Sequence, residues 1–284
     1  MKHMVKLSNG VSVPALGQGT WFIGDRAGTR KDEIEALRTG IEAGMTLIDT
    51  AEMYGSGRSE SLVGEAIAPY GREELFLVSK VLPGNANRRN MEKALDASMK
   101  RMGVEYLDLY LYHWRGATPL PETVECLIKL KEKGKIREWG VSNFDIDDME
   151  ELFGIDGGNG CLVNQDLYHA ASRGIEWNLL PWMRERKVAL MAYCPLAQAG
   201  SLRDGLFASK ALEEIAKKHG CSLTQVLLAW DIRDGNTIAI PKAGRKEHSL
   251  LNAGADEILL DEEDLAKIDE AFAPPARKMP LDVQ

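Results

Sequence analysis

Four residues in the first half of the chain have types and spacing suited to chemistry. Asp49 closes the apolar run "TLID", Tyr54 follows five residues later, and Lys80 and His113 close the runs "LFLVSK" and "LDLYLYH". A phenol with a pKa near ~10 is a poor acid or base at neutral pH, but an adjacent ammonium lowers that value by stabilising the phenolate. Lys80 is expected to act in this way on Tyr54. Asp49 would pair with Lys80 and keep a buried positive charge from standing alone. His113 would hydrogen-bond a carbonyl oxygen and orient it toward the phenol. The chemistry this set allows is proton transfer to a carbonyl group.

Each residue also has an ordinary structural explanation. An Asp at a strand end is often a helix cap, a lysine can snorkel, and a lone histidine can be a satisfied core residue. Asp49, however, stands ten residues before "SESL", which Ser59 would cap better. The steps of 31 and 33 residues from Asp49 to Lys80 to His113 also follow one repeating unit of the chain.

That unit is a helix followed by a strand. Ile34, Leu37 and Ile41 share a helical face that ends at Gly44 before "TLID". The same joint recurs at Gly103 before "LDLYLYH" and at Gly134 before "IREWGVSN". With "PALGQGTW", "LFLVSKV", "LVNQ", "VALMAY" and "TIAIP", eight short strands alternate with amphipathic stretches. Near-continuous apolar strands of this kind pair in parallel and are buried on both faces. The pattern predicts one α/β domain over residues 1–284, a closed (β/α)8 TIM barrel, with "VKLSNGVSVP" as an N-terminal β-hairpin plug. An open doubly wound sheet is the competing architecture, but GxGxxG is absent and "GSGRSE" lacks its third glycine. Barrel active sites gather where strands end. The runs end at or near Asp49, Lys80, His113, Asn143, Gln165, Tyr193 and Lys242, polar or aromatic each time.

Composition narrows the partners. A net charge of -8 and a pI near 5.3 argue against broad binding to nucleic acid or anionic membrane, so an anionic ligand needs a local basic cluster. Cys126, Cys161, Cys194 and Cys221 show neither CxxC pairing nor metal-ligand spacing. Reduced thiols and no metal are expected. The start "MKHMVKLSNG" has no apolar signal core, and no run is long enough to span a bilayer. A cytoplasmic monomer is expected.

The motifs, taken in order, resemble the aldo-keto reductase family: "GQGTW", "LIDTAEMYG", "LVSKV", "YLYHW", "GVSNF", "VNQ", "AYCPLAQ" and "IPKAG". "SRGIEWNLLPW" and "YCPLAQAG" look most like its bacterial branch that reduces methylglyoxal and related small aldehydes. The resemblance implies reduction of a small carbonyl substrate by hydride from NADPH, with NADH weaker, and with Tyr54 supplying the proton.

It also implies a cofactor site. Gly19, Thr20, Trp21 and Asp49 would border the dinucleotide. Ser142, Asn143 and Gln165 would hydrogen-bond its carboxamide, and Tyr193 would stack on the ring. Pro195, Leu196 and Gln198 would line the pyrophosphate loop, where Cys194 replaces the family's usual serine. Lys242, Arg245 and His248 would meet the adenosine phosphate, and Asn252 the adenine. His248 stands where the family usually has an arginine, and an imidazole cannot make a guanidinium's forked contact. Trp21 and Trp114 would join Tyr54 and His113 around the substrate, leaving Trp139, Trp177, Trp182 and Trp230 to packing. His169 is left without a role. Two other functions fit the same barrel: a cofactor-sensing regulatory protein, and an aldolase using Lys80 as a Schiff base.

Overall fold

A computed structural model describes residues 1–197 and 202–284. Its strands are β1 Met4–Lys6, β2 Ser12–Pro14, β3 Gln18–Gly19, β4 Leu47–Asp49, β5 Phe76–Val81, β6 Leu107–Tyr112, β7 Ile136–Ser142, β8 Val163–Leu167, β9 Ala189–Tyr193 and β10 Thr237–Ala239. The helices used below are α1 Arg30–Glu42, α2 Arg58–Ile67, α3 Met91–Met102 and α4 Leu120–Glu132. β1 and β2 form the antiparallel hairpin, with Met4 opposite Pro14. β3 to β10 form one eight-stranded parallel sheet in chain order.

The sheet closes on itself. Parallel bridges join Leu16 to Ala239 and Gly19 to Lys242, and the Gly19 amide donates to the Pro241 carbonyl at 3.1 Å. A β-carbon on Gly19 would lie 2.6 Å from the Ile240 carbonyl oxygen, so only glycine lets the first and last strands approach this closely. The expected TIM barrel and hairpin are therefore present. The first strand is only two residues long, because "PALGQGTW" spends most of its length on this seam.

The helix-to-strand joints stand where the sequence puts them. Gly103 ends α3 in the left-handed conformation, with φ of 69°, and its amide bonds the Met99 carbonyl. In β5, Leu77 to Val81 are all buried, as a strand covered on both faces requires. α2 differs from expectation. Its cap is Gly57, and Ser59 lies inside the helix, where its hydroxyl bonds the Thr20 carbonyl and side chain at 3.1 and 2.8 Å. Among the described residues, no helix is long and apolar enough to cross a membrane.

Candidate active site

Parallel strands in register bring their last residues to one rim. Asp49 ends β4, Lys80 lies one residue from the end of β5, His113 follows β6, Ser142 ends β7, Gln165 lies within β8 and Tyr193 ends β9. Lys80 is fully buried. Its Nζ donates to Asp49 Oδ1 and Oδ2 at 2.8 and 2.7 Å, to the Thr50 carbonyl at 2.9 Å and to the Tyr54 hydroxyl at 3.2 Å. Tyr54 stands edge-on to His113, with ring centres 5.9 Å apart, and His113 contacts Trp114 at 4.5 Å. The four residues read as a chemical set are thus one contiguous cluster.

Their electrostatics depart from expectation at Tyr54. Burial holds its phenol well above the ordinary value, and the neighbouring Asp49 charge adds to that effect. Burial outweighs the opposing ammonium 3.2 Å away. The group is therefore a protonated acid throughout the neutral range. Burial also raises Asp49 against the pull of Lys80 and Gln165, and lowers Lys80 against the pull of Asp49. His113 is pushed down to about 2, by burial first and then by Lys80, so the imidazole is neutral. Its Nδ1 is buried with no partner, which leaves Nε2 as the nitrogen able to meet a ligand.

Ser142, Asn143 and Gln165 are each held by hydrogen bonds within the barrel. Gln165 Nε2 donates to Asp49 Oδ1 at 2.8 Å, joining the far side of the barrel to the Asp49–Lys80 pair. Ser142 Oγ donates to the Gln165 carbonyl at 2.8 Å. Asn143, in the left-handed region with φ of 57°, donates to the His113 carbonyl at 3.1 Å and accepts from the Tyr193 hydroxyl at 2.9 Å. Sequence spacing gave no sign of the contact to Asp49, because the two strands meet only through the closed barrel.

A cavity of about 170 Å³ opens between Gly19, Thr20, Tyr54, Tyr193, Cys194 and Lys242. A neighbouring one is bounded by Trp21, Tyr54, His113, Trp114, Asn143 and, unanticipated from sequence, Gln284. The segment carrying Gln284 is tied down by Asp282, which accepts from Ser172 Oγ, and by Lys278, which pairs with Asp145. His169 packs in this same corner: it is buried, its Nδ1 accepts from the Ala171 amide at 3.2 Å, and burial lowers its pKa to about 4. Pro195 and Leu196 are buried beside Cys194, whose thiol burial pushes up to about 11. Gln198 lies outside the described residues. Arg245 and His248 are exposed at the start of the helix Lys246–Gly254, Lys246 pairs with Glu35 at 3.2 Å, and Asn252 is buried. Trp139 and Trp230 are core residues and Trp182 packs on Phe153, but Trp177 is 49% exposed and packs into no core. Among the described residues, no group of three or more His, Cys, Asp or Glu is placed to hold a metal ion.

Comparison with known proteins agrees with this geometry. The sequence model of the Aldo/keto reductase family matches residues 15–273. The chain is 51% identical over 282 residues to methylglyoxal reductase YeaE of Escherichia coli (strain K12), covering 99% of both chains. It is 36% identical to glyoxal reductase of Bacillus subtilis (strain 168), covering 95% of this chain and 92% of that one. A crystal structure of an aldo-keto reductase from Klebsiella pneumoniae in complex with NADPH matches with a TM-score of 0.97 at 49% identity, over 100% of both chains.

Proposed function

The chain belongs to the aldo/keto reductase family, and from that premise we propose that it reduces small aldehydes such as methylglyoxal to alcohols with NADPH, using Tyr54 as the proton donor. The observation that carries the reading is the 3.2 Å contact between a protonated Tyr54 phenol and the Lys80 ammonium that Asp49 holds in place.

The cavity suits one end of the dinucleotide. A close-packed glycine, the flat ring of Tyr193 and the Lys242 cation border it, which fits a planar heteroaromatic ring next to an anionic group. NADPH supplies a hydride to the carbonyl carbon when bound. The chain's own residues do the rest. Neutral His113 presents Nε2 to the carbonyl oxygen and orients it, without competing for the proton. The Tyr54 O–H bond breaks, its proton forms the alcohol O–H, and the resulting phenolate lies against the Lys80 ammonium. Trp21 and Trp114 narrow the mouth to small substrates.

Lys80 is poorly suited to a Schiff base. Its nitrogen is fully buried and already donates to Asp49 and to the Thr50 carbonyl. The rim groups all lie on one barrel over residues 1–284, so a single copy carries the whole proposed site, and the four free cysteines suit a reducing cytoplasm.

NADPH absorbance with a panel of aldehydes and ketones tests the proposal. Methylglyoxal should show a higher kcat/KM than steroid-sized ketones, and Tyr54→Phe should abolish turnover while cofactor affinity stays within about threefold. Near-normal turnover by Tyr54→Phe, or an inert wild-type protein, would overturn it.

A further inference from the structure

Three of the acceptors around Lys80 Nζ belong to Asp49 and Thr50, at the end of β4. Only the longest contact, to the Tyr54 hydroxyl, reaches the loop that follows. The ammonium is therefore fixed by the barrel, whereas the phenol depends on where its loop sits. That loop is irregular. Tyr54 opens a short turn in which Gly55 and Ser56 both have positive φ, and the backbone bonds of Tyr54 and Ser56, to the Ala51 and Met53 carbonyls, stay inside the loop.

Glu52 ties the loop to the neighbouring one. Its Oε1 accepts from the Leu82 backbone amide at 2.7 Å and from Asn85 Nδ2 at 3.1 Å, and its Oε2 accepts from Asn85 Nδ2 at 3.2 Å. Glu52 stands two residues before Tyr54, and Leu82 stands two residues after Lys80. The carboxylate thus joins the two rim loops directly beside the phenol–ammonium contact. Hydrogen bonds to an ionised acceptor are roughly twice as strong as neutral ones, and misplacing reacting groups by about 1 Å lowers rates by about a hundredfold. The phenol of Tyr110, buried and without a partner, is a further titratable group close to the Glu52 charge.

We propose that Glu52 is a positioning residue: by clamping the loop of Tyr54 to the loop after Lys80, it sets the distance between the proton donor and the ammonium that stabilises its phenolate. This rests on the reading of Tyr54 as proton donor.

The test compares Glu52→Gln and Glu52→Ala in the full chain, with NADPH Kd, kcat for methylglyoxal reduction, and the pH profile of kcat for alcohol oxidation, where the phenol acts as a base. Glu52→Gln keeps an oxygen acceptor and should stay within about threefold of wild type. Glu52→Ala should lower kcat by about 10- to 100-fold with Kd changed less than threefold, and should move the acid limb of the oxidation profile to higher pH as Tyr54 loses its ammonium. Asn85→Ala, a milder cut at the same clamp, should give an intermediate loss and serves if Glu52→Ala does not fold. Wild-type kcat in Glu52→Ala or Asn85→Ala, an unmoved profile despite lost activity, or equal losses in Gln and Ala would each overturn the proposal. A wild-type protein inert toward carbonyls would instead overturn the functional reading, so the two failures are distinct.

Discussion

Gln165 donates to Asp49 across the barrel at 2.8 Å, from a strand that begins more than a hundred residues later in the chain. Asp49 therefore receives donors from both sides, with Lys80 on the neighbouring strand and Gln165 on the opposite wall. The amide both helps keep the carboxylate ionised and fixes its plane, which in turn fixes the ammonium.

Gln165→Ala should therefore lower kcat more than it weakens NADPH binding, by about tenfold against about threefold. Steady-state kinetics and fluorescence titration of the cofactor separate the two. A large loss of affinity with unchanged kcat would show instead that Gln165 serves the cofactor alone.

Lys80→Met leaves Asp49 buried without its counter-ion, and breaking such a pair costs about 3–5 kcal/mol. The midpoint of urea unfolding should fall accordingly. Adding Asp49→Leu removes the stranded charge and should restore most of that stability while activity stays absent. A double variant no more stable than Lys80→Met would show that the pair is not what the fold loses.

Asp166 should respond in the opposite sense. It is fully buried, and burial first, then the nearby Asp145 charge, hold it well above the ordinary carboxylate range against the weaker pull of the Asn143 and Phe144 backbone amides. The folded state thus keeps a proton that the unfolded chain releases near pH 3.8. Stability falls as pH rises beyond that point. Asp166→Leu should raise the Tm by a few degrees, on the order of 1–3 kcal/mol, and by more at pH 8 than at pH 5. A gain independent of pH would mean that the acid is not the destabilising group.

Arg245 is exposed at the start of the helix that follows Lys242, and Lys246 beside it is occupied by Glu35. If Arg245 reads the 2'-phosphate, Arg245→Ala should weaken NADPH binding by about tenfold, or about 1.4 kcal/mol, and leave NADH untouched. Equal effects on both cofactors in a fluorescence titration would rule that role out.

Most of the rim residues that could be read from sequence share one property, that each ends an apolar run, and Tyr54 was found as the phenol that follows one of those ends. Asp49, Lys80, His113 and Tyr193 stand out because a strand buried on both faces has no reason to stop at a polar or aromatic group unless its end faces a site. What was hidden depends on distance through space or on backbone conformation. The Gln165–Asp49 bond needs barrel closure, and Gln284 reaches the cavity beside Tyr54 and His113 through a segment held by Ser172 and Asp145. Ser59 looked like a cap, but the chain turns at Gly57, and Ser59 serves Thr20 instead. The phenol of Tyr54 was expected to be lowered by Lys80; burial, which sequence does not show, outweighs the ammonium.

The seam between Gly19 and Lys242 joins positions more than two hundred residues apart, and both line the cavity that also holds Tyr54 and Tyr193. Contacts of such long sequence separation form late, because the intervening chain must be ordered before they can be made. During synthesis, Asp49, Tyr54, Lys80 and His113 emerge from the ribosome long before Lys242, while one wall of this cavity is still missing. A nascent or truncated chain that stops before β10 carries every group of the proton-transfer cluster and no finished cleft. The cavity beside Tyr54 is therefore complete only once the closing strand is in place.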